Sequence, residues 1–487
     1  MPQRPNIIVM YADDLGFGDV GCYGAESVPT PNIDRLAADG LLFTNGYATA
    51  ATCTPSRYSL LTGSYPWRNP NAAILAGDAP MIIGEREQTI ASMLAAGGYR
   101  TGVVGKWHLG LGSGSLDWNG AITRTPNDVG FDESYILAAT NDRVPCVYVH
   151  DRHVEGLDPN DPIEVVYGRP GAFPDVPTGR EHPELLRMRY SHGHDGTIVN
   201  GVSRIGEMRG GAAALWDDEA MAEVFLERAR GFVRRHADGP FFLYYAFHQP
   251  HVPRIPGPRF AGSTPHGPRG DVIAEMDWCV GELLRTLDEL GIREETMIVF
   301  SSDNGPVLDD GYHDRAEELV GEHSPAGPLR GGKYSLYDGG TRVPLIVSWP
   351  GTVDAGRSEA LVSHVDFFAS FSELVGSEVD ADAAPDSENV LQALLGRTSE
   401  GRNELVVEGM QAKTVLRSGR WTYIPPYEGP AVSPTTHTEL GNADEPQLYN
   451  LDEDLGQIAN RAGTQGEIAA SMDARLREIL GSKRTRR

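Results

Sequence analysis

Short apolar runs alternate with segments of helical periodicity through the first three-quarters of the chain. The runs that predict strands lie at 6–11, 101–104, 241–247, 297–301 and 343–349. Between two of them, apolar residues recur at helical spacing at Ile273, Met276, Val280, Leu283, Leu284 and Leu287. Strands that alternate with helices build a sheet covered on both faces. The pattern therefore predicts an α/β fold with a large, mostly parallel central sheet between helices.

Two shorter helices carry boundary signals in the sequence. The first is predicted over 31–39, with Thr30 as N-cap, Pro31 in the first turn and Gly40 as its stop. The same pattern recurs over 89–96 before a pair of glycines. Both helices are expected to connect strands of the central sheet.

Two changes in composition divide the rest of the chain. Residues 141–211 are rich in Pro, Gly, Asp, Arg and His and show little periodicity, which is typical of a functional loop or insertion. Residues 377–387, dense in Asp, Ala and Pro, lead out of the main domain. Beyond them lie strand-like pieces and a closing helix, at 404–408, 414–417, 421–424, 448–451 and 465–480. We predict a catalytic domain over 1–376, with 141–211 as a substrate-facing insertion, and a smaller α+β subdomain over 388–487 with an antiparallel sheet and a helix.

Composition and charge limit the kinds of molecule that the chain is expected to bind. The chain has 487 residues, 40% of them hydrophobic, and a net charge of −26. This charge disfavours binding to nucleic acid or to an anionic membrane, so neither is expected as a partner. An anionic substrate would need a local positive site.

The cysteines and the first residues bear on the compartment. Four scattered cysteines are too few for a disulfide framework or a cysteine-ligated zinc site: Cys22, Cys53, Cys146 and Cys279. No run approaches the length of a transmembrane helix, and the apolar stretch 7–10 predicts a first core strand. We expect a cytoplasmic protein as written, and a periplasmic or secreted one if a leader has been removed.

Polar residues directly follow four of the predicted strands. In open α/β sheets the ligand lies beyond the carboxyl ends of the strands, so these residues are expected to meet. In chain order they are Asp13 and Asp14, Lys106 and His108, His248 and His251, and Asp303 and Asn304. Acidic and basic groups would thus converge where a metal ion and an anion could both be held.

The acidic part of this set predicts a metal site. Asp13, Asp14, Asp303 and Asn304 offer only oxygen donors, which suits calcium, with magnesium less favoured and zinc disfavoured. Taken alone, an Asp-Asp pair after a strand is more often a helix cap or turn, and Asp-Asn-Gly is a common turn.

The run Cys53-Thr54-Pro55-Ser56-Arg57 is the most informative short string of the chain. Cys-x-Pro-x-Arg is the sequence that a maturation enzyme reads when it oxidises a cysteine to formylglycine. An apolar segment over 58–63 follows it and could open a helix. The alternative is an incidental cysteine beside a turn. With this string the chain resembles the type I, formylglycine-dependent sulfatases of the alkaline phosphatase superfamily, which include arylsulfatases and carbohydrate sulfatases.

Further motifs support the resemblance in the family's order. Residues 105–110 match Gly-Lys-Trp-His-x-Gly, and 248–253 contain Pro-His-x-Pro, which maps the family's catalytic histidine to His251 and not to His248. Gly331-Gly332-Lys333 resembles the segment whose lysine contacts sulfate, and Arg342 beyond it is a second positive charge or merely structural. The resemblance extends from about 5 to 351, with a weaker echo at 448–451; 141–211 and 308–327 match no family motif.

The resemblance implies a role for each matched residue. Residue 53, as hydrated formylglycine, would attack sulfur from a calcium ion held by residue 53, Asp13, Asp14, Asp303 and Asn304. Arg57 would orient the nucleophile, and Lys106 and Lys333 would pair with sulfate oxygens. His251, assisted by Lys333, would protonate the leaving oxygen. His108 would then remove the proton of the second hydroxyl, so that sulfate leaves and the aldehyde is restored.

The substrate is less determined by the sequence than the reaction. The resemblance implies a sulfated small molecule or saccharide as substrate and a formylglycine-generating enzyme as maturation partner. We favour an exo-acting 6-O-sulfatase on galactose-type sugars over an arylsulfatase. The alternatives are a phosphonate monoester or phosphodiester hydrolase of the same superfamily, and an inactive sulfated-glycan-binding protein. Within 141–211, side chains able to bind a sugar, or else only a solvated loop, are Arg143, His150, Arg152, His153, Arg189, His192, His194 and Arg204.

Overall fold

The computed structural model of the chain describes residues 4–377, 379–380 and 382–486. Its strands, numbered along the chain, begin with Asn6–Ala12 (β1), Leu41–Phe43 (β2), Gly46–Tyr47 (β3), Arg100–Lys106 (β4), Glu133–Leu137 (β5), Val149–His150 (β6), His153–Val154 (β7), Glu164–Val166 (β8), Ile198–Val199 (β9) and Val202–Ser203 (β10). They continue with Glu207–Arg209 (β11), Phe241–Ala246 (β12), Thr296–Ser302 (β13), Leu345–Ser348 (β14), Gly356–Ser358 (β15), Val362–Ser363 (β16), Glu404–Glu408 (β17), Thr414–Ser418 (β18), Trp421–Ile424 (β19) and Gln447–Asn450 (β20).

Two groups of helices flank the large sheet, since α5 contacts both α1 and α4, and α2, α3 and α7 form a second group. None of the helices in the described part of the chain combines the length and apolar character needed to cross a membrane. The α-helices are Pro31–Ala38 (α1), Cys53–Thr62 (α2), Ile90–Ala96 (α3), Met221–His236 (α4), Gly267–Leu290 (α5), Ala316–Leu319 (α6), Phe367–Val375 (α7), Leu391–Leu394 (α8) and Gly466–Gly481 (α9).

The central sheet has ten strands in the order β15-β2-β14-β13-β1-β12-β4-β5-β6-β7. Its middle is parallel: β1 lies between β12 and β13, β4 pairs with β12, and β5 pairs with β4, all in the same direction. Every residue of β1 is buried, as expected for a strand covered on both faces. The antiparallel pairings lie on either side, at β14 and at β5 to β7. The predicted α/β fold, with a large sheet between helices, is confirmed.

The predicted helices at 31–39 and 89–96 are present as α1 and α3. They differ in how their first turns are capped. The hydroxyl of Thr89 accepts from the amide of Ser92 at 3.0 Å, which caps α3. Thr30 occupies the N-cap position of α1, but its side chain does not cap the helix. Its hydroxyl instead accepts from the amide of Gly21 at 2.8 Å and donates to Asp34 at 3.2 Å. Thr30 is therefore the N-cap residue, as predicted, but a neighbouring loop and Asp34 engage its hydroxyl, so the side chain does not cap the helix.

The C-terminal part forms a second, smaller unit in which a helix packs against a sheet. Strands β17, β18, β19 and β20 make an antiparallel sheet, and α9 packs against β18 and β19. Leu405, Leu416, Leu448 and Leu476 lie in an apolar cluster there, which also takes in Tyr47 from the main part. The predicted α+β unit is thus present, and we keep the boundaries 1–376 and 388–487 as a proposal.

The segment 141–211 is more regular than its composition indicated. It contains the short strands β6 to β11, although most of its residues lie in loops and turns, as the lack of periodicity indicated. Strands β6 and β7 extend the edge of the central sheet, and β8 pairs with β11. Strands of two or three residues are too short to leave a periodic signal in the sequence. Whether the segment faces the substrate is therefore a question about its individual residues.

Candidate active site

Four neighbouring parallel strands end at one edge of the sheet and place polar side chains together. Strand β4 ends in Lys106 and is followed by His108, and the segments after β1, β12 and β13 carry the other groups. All of these side chains are buried, although most are ionisable. The predicted convergence at the strand ends is therefore observed, for Asp13, Asp14, Lys106, His108, His251, Asp303 and Asn304.

The acidic residues form a compact cluster with Cys53. One ligand atom from each of Asp13, Asp14, Cys53 and Asp303 lies within 4.8 Å of the others. The Oδ1 atom of Asn304 is buried and has no hydrogen-bond partner among the described residues, while its Nδ2 donates to Asp14 at 2.7 Å. A free buried oxygen beside three carboxylates fits a hard cation.

The pKa values of the carboxyls show how strongly they interact. Burial raises the pKa of Asp13 to about 8, although the charge of Lys106 opposes it. Burial likewise raises the pKa of Asp14, against the charge of Lys333. For Asp303 burial is the largest single effect, but the charges of Arg57 and the two lysines together outweigh it, so its pKa lies below the usual value. A bound divalent cation would relieve the repulsion among the ionised carboxylates.

Cys53 is the first residue of α2, and its Sγ lies 3.5 Å from Oδ1 of Asp13. Arg57 follows one helical turn later and is fully buried. Its Nε donates to Oδ2 of Asp303 at 2.8 Å, and its Nη1 donates to the carbonyl of Lys106 at 3.2 Å. Arg57 therefore ties the helix that carries Cys53 to the acidic cluster.

Two lysines lie on either side of the cluster. Lys106 Nζ donates to Oδ2 of Asp13 at 2.6 Å. Lys333 Nζ donates to Oδ2 of Asp14 at 2.8 Å and to Oδ2 of Asp310 at 2.7 Å. Both ammonium groups are buried, so they form the local positive site that an anion needs in a chain of net charge −26.

The hydrogen bonds of the two histidines define their reactive nitrogens. His251 Nδ1 lies 2.7 Å from the carbonyl of Val252, so it carries the proton, and Nε2 faces Asp14 at 3.9 Å. His108 Nε2 donates in the same way to the carbonyl of Leu75 at 3.0 Å, which leaves its buried Nδ1 without a partner. Burial lowers the pKa of both imidazoles well below the usual value. Each therefore presents an unprotonated nitrogen.

His248, the other histidine of its motif, packs against an aromatic side chain. Its ring centroid lies 5.9 Å from that of Phe225 on α4. The separation of His248 from His251 that the motif indicated is thus visible in the packing.

Backbone strain is concentrated at the site. Asp14, His108 and Tyr334 have φ of 65°, 56° and 76°, in the left-handed region that residues other than glycine rarely adopt. Such residues cost about 1–3 kcal/mol each and persist where the surroundings hold them, often at active sites.

The sequence did not indicate two acidic residues at the site. Asp310 pairs with Lys333 and accepts from the hydroxyl of Tyr334 at 2.8 Å. Asp142 lies 2.8 Å from Nε2 of His194 and carries Arg143 on its other oxygen. Both lie in segments that match no family motif and do not end a strand of the parallel core, so no sequence signal could have found them.

The basic residues of 141–211 lie in different environments in the structure. Arg143 and His194 lie with Asp142 beside the site, and His192 is close to Asp309. Arg204 is buried and bound to Asp218. Three of the basic residues lie away from the candidate active site, on the edge strands β6 and β7 and the turn between them: His150, Arg152 and His153. Arg342 pairs with Asp338 and donates to the carbonyl of Thr44, which gives it a structural position.

Removal of the buried Arg204 is expected to destabilise the protein. Its Nη2 lies 2.7 Å from Oδ2 of Asp218, and both side chains are almost fully buried. We expect Arg204→Ala to lower the free energy of unfolding by about 3–5 kcal/mol, because it removes the buried cation that is bonded to the carboxylate of Asp218 and leaves that carboxylate only weaker partners. Arg152→Ala is the matched control: its pair with Asp128 is exposed and should contribute no more than about 1 kcal/mol. Chemical denaturation of the two variants measures this, and equal losses would contradict it.

The fold and site define a class of hydrolase that transfers a charged group held between a metal site and basic side chains. The sequence matches the Sulfatase family over residues 5–377, so the chain belongs to the sulfatase family. The predicted family and enzyme class, a sulfuric ester hydrolase, are confirmed. Sulfatases use a metal ion and a formylglycine, and the cluster around Asp13 and Cys53 could hold such an ion.

Relatives cover almost the whole chain. It is 49% identical to N-acetylgalactosamine-6-O-sulfatase of Bacteroides thetaiotaomicron, over 99% of this chain and 94% of the relative. It is 31% identical to human arylsulfatase A, over 95% and 84%. A solved structure from work on the metabolism of multiple glycosaminoglycans by Bacteroides thetaiotaomicron has a TM-score of 0.96 at 49% identity, covering 98% of this chain and 99% of the other.

Proposed function

We propose that this sulfatase removes the 6-O-sulfate of galactose-type sugars at the end of a saccharide chain. We infer the reaction from one observation: Cys53 lies buried beside the acidic cluster and two lysines. The similarity to N-acetylgalactosamine-6-O-sulfatase over 99% of the chain supports the choice of substrate. The carboxylates of Asp142 and Asp310 beside the site are suitable acceptors for sugar hydroxyls.

The proposed metal site consists of Asp13, Asp14, Asp303, Asn304 and residue 53. Only oxygen donors come from the first four residues, so we infer calcium, with magnesium less favoured. When bound, the ion supplies Lewis-acid stabilisation of charge on the sulfate and the nucleophile. Conversion of Cys53 by a formylglycine-generating enzyme supplies a nucleophilic hydroxyl on a carbon that bears a second one.

The chain's own side chains bind the sulfate and move protons. Lys106 and Lys333 pair with carboxylates in this structure, and we propose that they turn to sulfate oxygens when substrate is bound. Arg57 keeps α2 in register with Asp303, which positions residue 53. A buried site that holds basic side chains beside a metal site would stabilise the charge that develops during transfer.

We assign the two proton transfers to the free nitrogens of the histidines. Nε2 of His251 faces the cluster near Lys333 and carries no proton in this structure. The negative charge of a bound sulfate would raise the pKa of this imidazole, so that Nε2 would take up a proton when substrate binds and then give it to the leaving sugar oxygen. Nδ1 of His108 is unpartnered, and Thr54, the neighbour of Cys53, donates to the carbonyl of His108 at 2.9 Å. His108 would therefore take the proton that allows the sulfated residue 53 to release sulfate.

Loss of the leaving-group acid is expected to depend on the leaving group. We expect His251→Ala to lower kcat/KM about 100-fold to 10,000-fold for a sugar 6-sulfate, because an alkoxide needs protonation. An activated aryl sulfate, whose phenoxide is stable, should lose less than about tenfold. Steady-state kinetics on both substrates tests this, and equal losses would contradict the assignment.

Loss of the second base should have a different signature. His108→Ala is expected to slow sulfate release, so that sulfated enzyme accumulates and alcohol appears in an initial burst. Rapid-quench kinetics on the aryl sulfate measures this burst. A burst in His251→Ala and none in His108→Ala would show that the two roles are reversed.

A panel of defined substrates tests the proposed specificity. The panel comprises 6-sulfated N-acetylgalactosamine and galactose, 6-sulfated N-acetylglucosamine, 4-sulfated N-acetylgalactosamine, an aryl sulfate and a phosphodiester. The proposal predicts the highest kcat/KM for the two 6-sulfated galactose-type sugars. A higher value for the 4-sulfate or for the aryl sulfate would overturn the substrate assignment, and preference for the phosphodiester would overturn the assigned reaction.

A further inference from the structure

A cavity of about 400 Å³ adjoins the candidate active site. Thr52, which directly precedes Cys53, lines one side of it. Met410 lines the other side, and its amide donates to the carbonyl of Tyr334 at 3.0 Å, one residue from Lys333. The cavity therefore shares walls with the segments that carry the nucleophile position and a sulfate-binding lysine, without being lined by either of these two residues.

Two buried polar atoms in the residues that line this cavity have no hydrogen-bond partner in the described part of the chain. They are Oε1 of Glu408 and Nε1 of Trp67. Glu408 is 2% exposed, and burial raises its pKa to about 8, so its carboxyl is mostly protonated at neutral pH and can donate or accept. The indole of Trp67 stacks on Tyr65 with ring centroids 4.2 Å apart, which holds it in place. Unpaired buried polar atoms are unfavourable, so a polar ligand that satisfied both would gain affinity.

Much of the rest of the wall is apolar. Pro66 lines the cavity, and Ile74 and Met410 are 38% and 43% exposed although both are large and apolar. Gln411 and Ala412, also in the wall, have left-handed φ of 61° and 56°, a strain typical of ligand-binding segments. An apolar cavity of this size with a few polar groups is characteristic of small-molecule sites, which span roughly 300–1,000 Å³.

We propose that this cavity binds the sugar joined to the sulfated sugar, with Glu408 and Trp67 as hydrogen-bond partners of its hydroxyls. The proposal rests on the proposed carbohydrate sulfatase function. A pyranose offers a C–H face to Pro66, Ile74 and Met410 and hydroxyls to Oε1 and Nε1. An anionic neighbour fits less well, because the described residues that line the cavity include neither lysine nor arginine.

A kinetic comparison tests the cavity in the active enzyme. The substrates are a 6-sulfated galactose-type monosaccharide and disaccharides that carry the same sugar at the non-reducing end, joined by β1-3 or β1-4 bonds. We expect the better disaccharide to exceed the monosaccharide in kcat/KM by about tenfold, and Glu408→Leu to reduce this advantage to about twofold or less, the effect of one lost hydrogen bond. Glu408→Gln, which keeps a donor and an acceptor, should retain most of it.

A second variant and a stability measurement separate binding from a structural role. Met410→Ala, at the exposed apolar rim, should also reduce the disaccharide advantage, whereas Leu290→Ala, a matched exposed residue at the end of α5, should not. Glu408→Leu loses one hydrogen bond, from the backbone of Trp67 to the carboxyl, while Oε1 has no partner to lose, so the variant should unfold within about 5 °C of the wild type. A clearly lower unfolding temperature with an unchanged advantage would show that Glu408 only supports the fold, and would overturn the proposal.

Binding of an unsulfated disaccharide tests whether the cavity holds a sugar, independently of catalysis. Isothermal titration of the same disaccharides without sulfate into Cys53→Ala should show binding that is weakened about fivefold to tenfold by adding Glu408→Leu. If no sugar sulfate is hydrolysed, the proposed function fails, while this titration still tests the cavity. No binding of either disaccharide, or equal binding with and without Glu408, would mean that the cavity holds only water.

Discussion

Cys53→Ala is expected to abolish sulfate ester hydrolysis, with a loss in kcat/KM of about 10,000-fold or more. Cys53 is the first residue of α2, and its Sγ lies 3.5 Å from Oδ1 of Asp13. The substitution therefore removes the nucleophile and changes little else. Burial raises the pKa of the Cys53 thiol well above the usual value, so an unmodified thiol would also be a poor nucleophile. Steady-state kinetics with an aryl sulfate and a sugar 6-sulfate measures the loss.

Cys279→Ala is the matched control, because Cys279 is equally buried but lies on α5. Its kcat/KM should stay within about twofold of the wild type, since it removes only a small buried side chain. All four cysteines are free thiols in the structure, so neither substitution breaks a disulfide. Retention of more than a small fraction of activity by Cys53→Ala would refute the proposed nucleophile.

Asp303→Ala is expected to remove both the bound metal and the activity, with a fall in kcat/KM of about 1,000-fold. Asp303 belongs to the cluster with ligand atoms within 4.8 Å of one another, and it also holds Arg57 through a contact of 2.7 Å. Elemental analysis of the wild type should give about one hard divalent ion per chain, and the variant should give none.

The loss of a buried ion pair must be separated from the loss of the metal. Asp218→Ala breaks a comparable buried pair, with Arg204, and should lower stability while keeping the ion and most of the activity. Addition of calcium to chelator-treated wild type should restore activity. Stoichiometric zinc without calcium in the wild type would contradict the proposed metal and would make His108 and His251 candidate ligands.

The sequence predicted the strand-end residues of the site because two signals coincide there. Runs of apolar residues mark β1, β4, β12 and β13, and parallel strands place their carboxyl ends at one edge. Asp13, Lys106, His251 and Asp303 therefore lie together at the site, as expected. The resemblance to sulfatases added Lys333, which no strand end indicates.

The remaining parts of the site depend on contacts between distant segments. Asp310 reaches Lys333 from a loop without periodicity, and Asp142 reaches His194 within a segment of short strands. The free nitrogens of His108 and His251 follow from bonds to the carbonyls of Leu75 and Val252, which no motif encodes. Side-chain pairing of this kind is a property of the packed chain and leaves no local pattern.

The same limit applies to the cavity beside the site. Glu408 ends β17 of the C-terminal sheet, and its backbone bonds to Thr49 and Ala51 bring it close to residue 53. Trp67 arrives from the segment after α2. A strand-like run at 404–408 predicted the strand, but nothing in it indicated that Oε1 of its last side chain would be buried without a hydrogen-bond partner.

The central claim is that residue 53, oxidised from cysteine, is the nucleophile of a sulfatase. Its most direct test measures the aldehyde or its hydrate at residue 53 by peptide mass spectrometry and the sulfatase activity in the same preparations. The preparations are made with different amounts of a co-expressed formylglycine-generating enzyme. The account predicts activity in proportion to the modified fraction, with none at zero modification. Full activity in a preparation whose residue 53 is an unmodified thiol would contradict it.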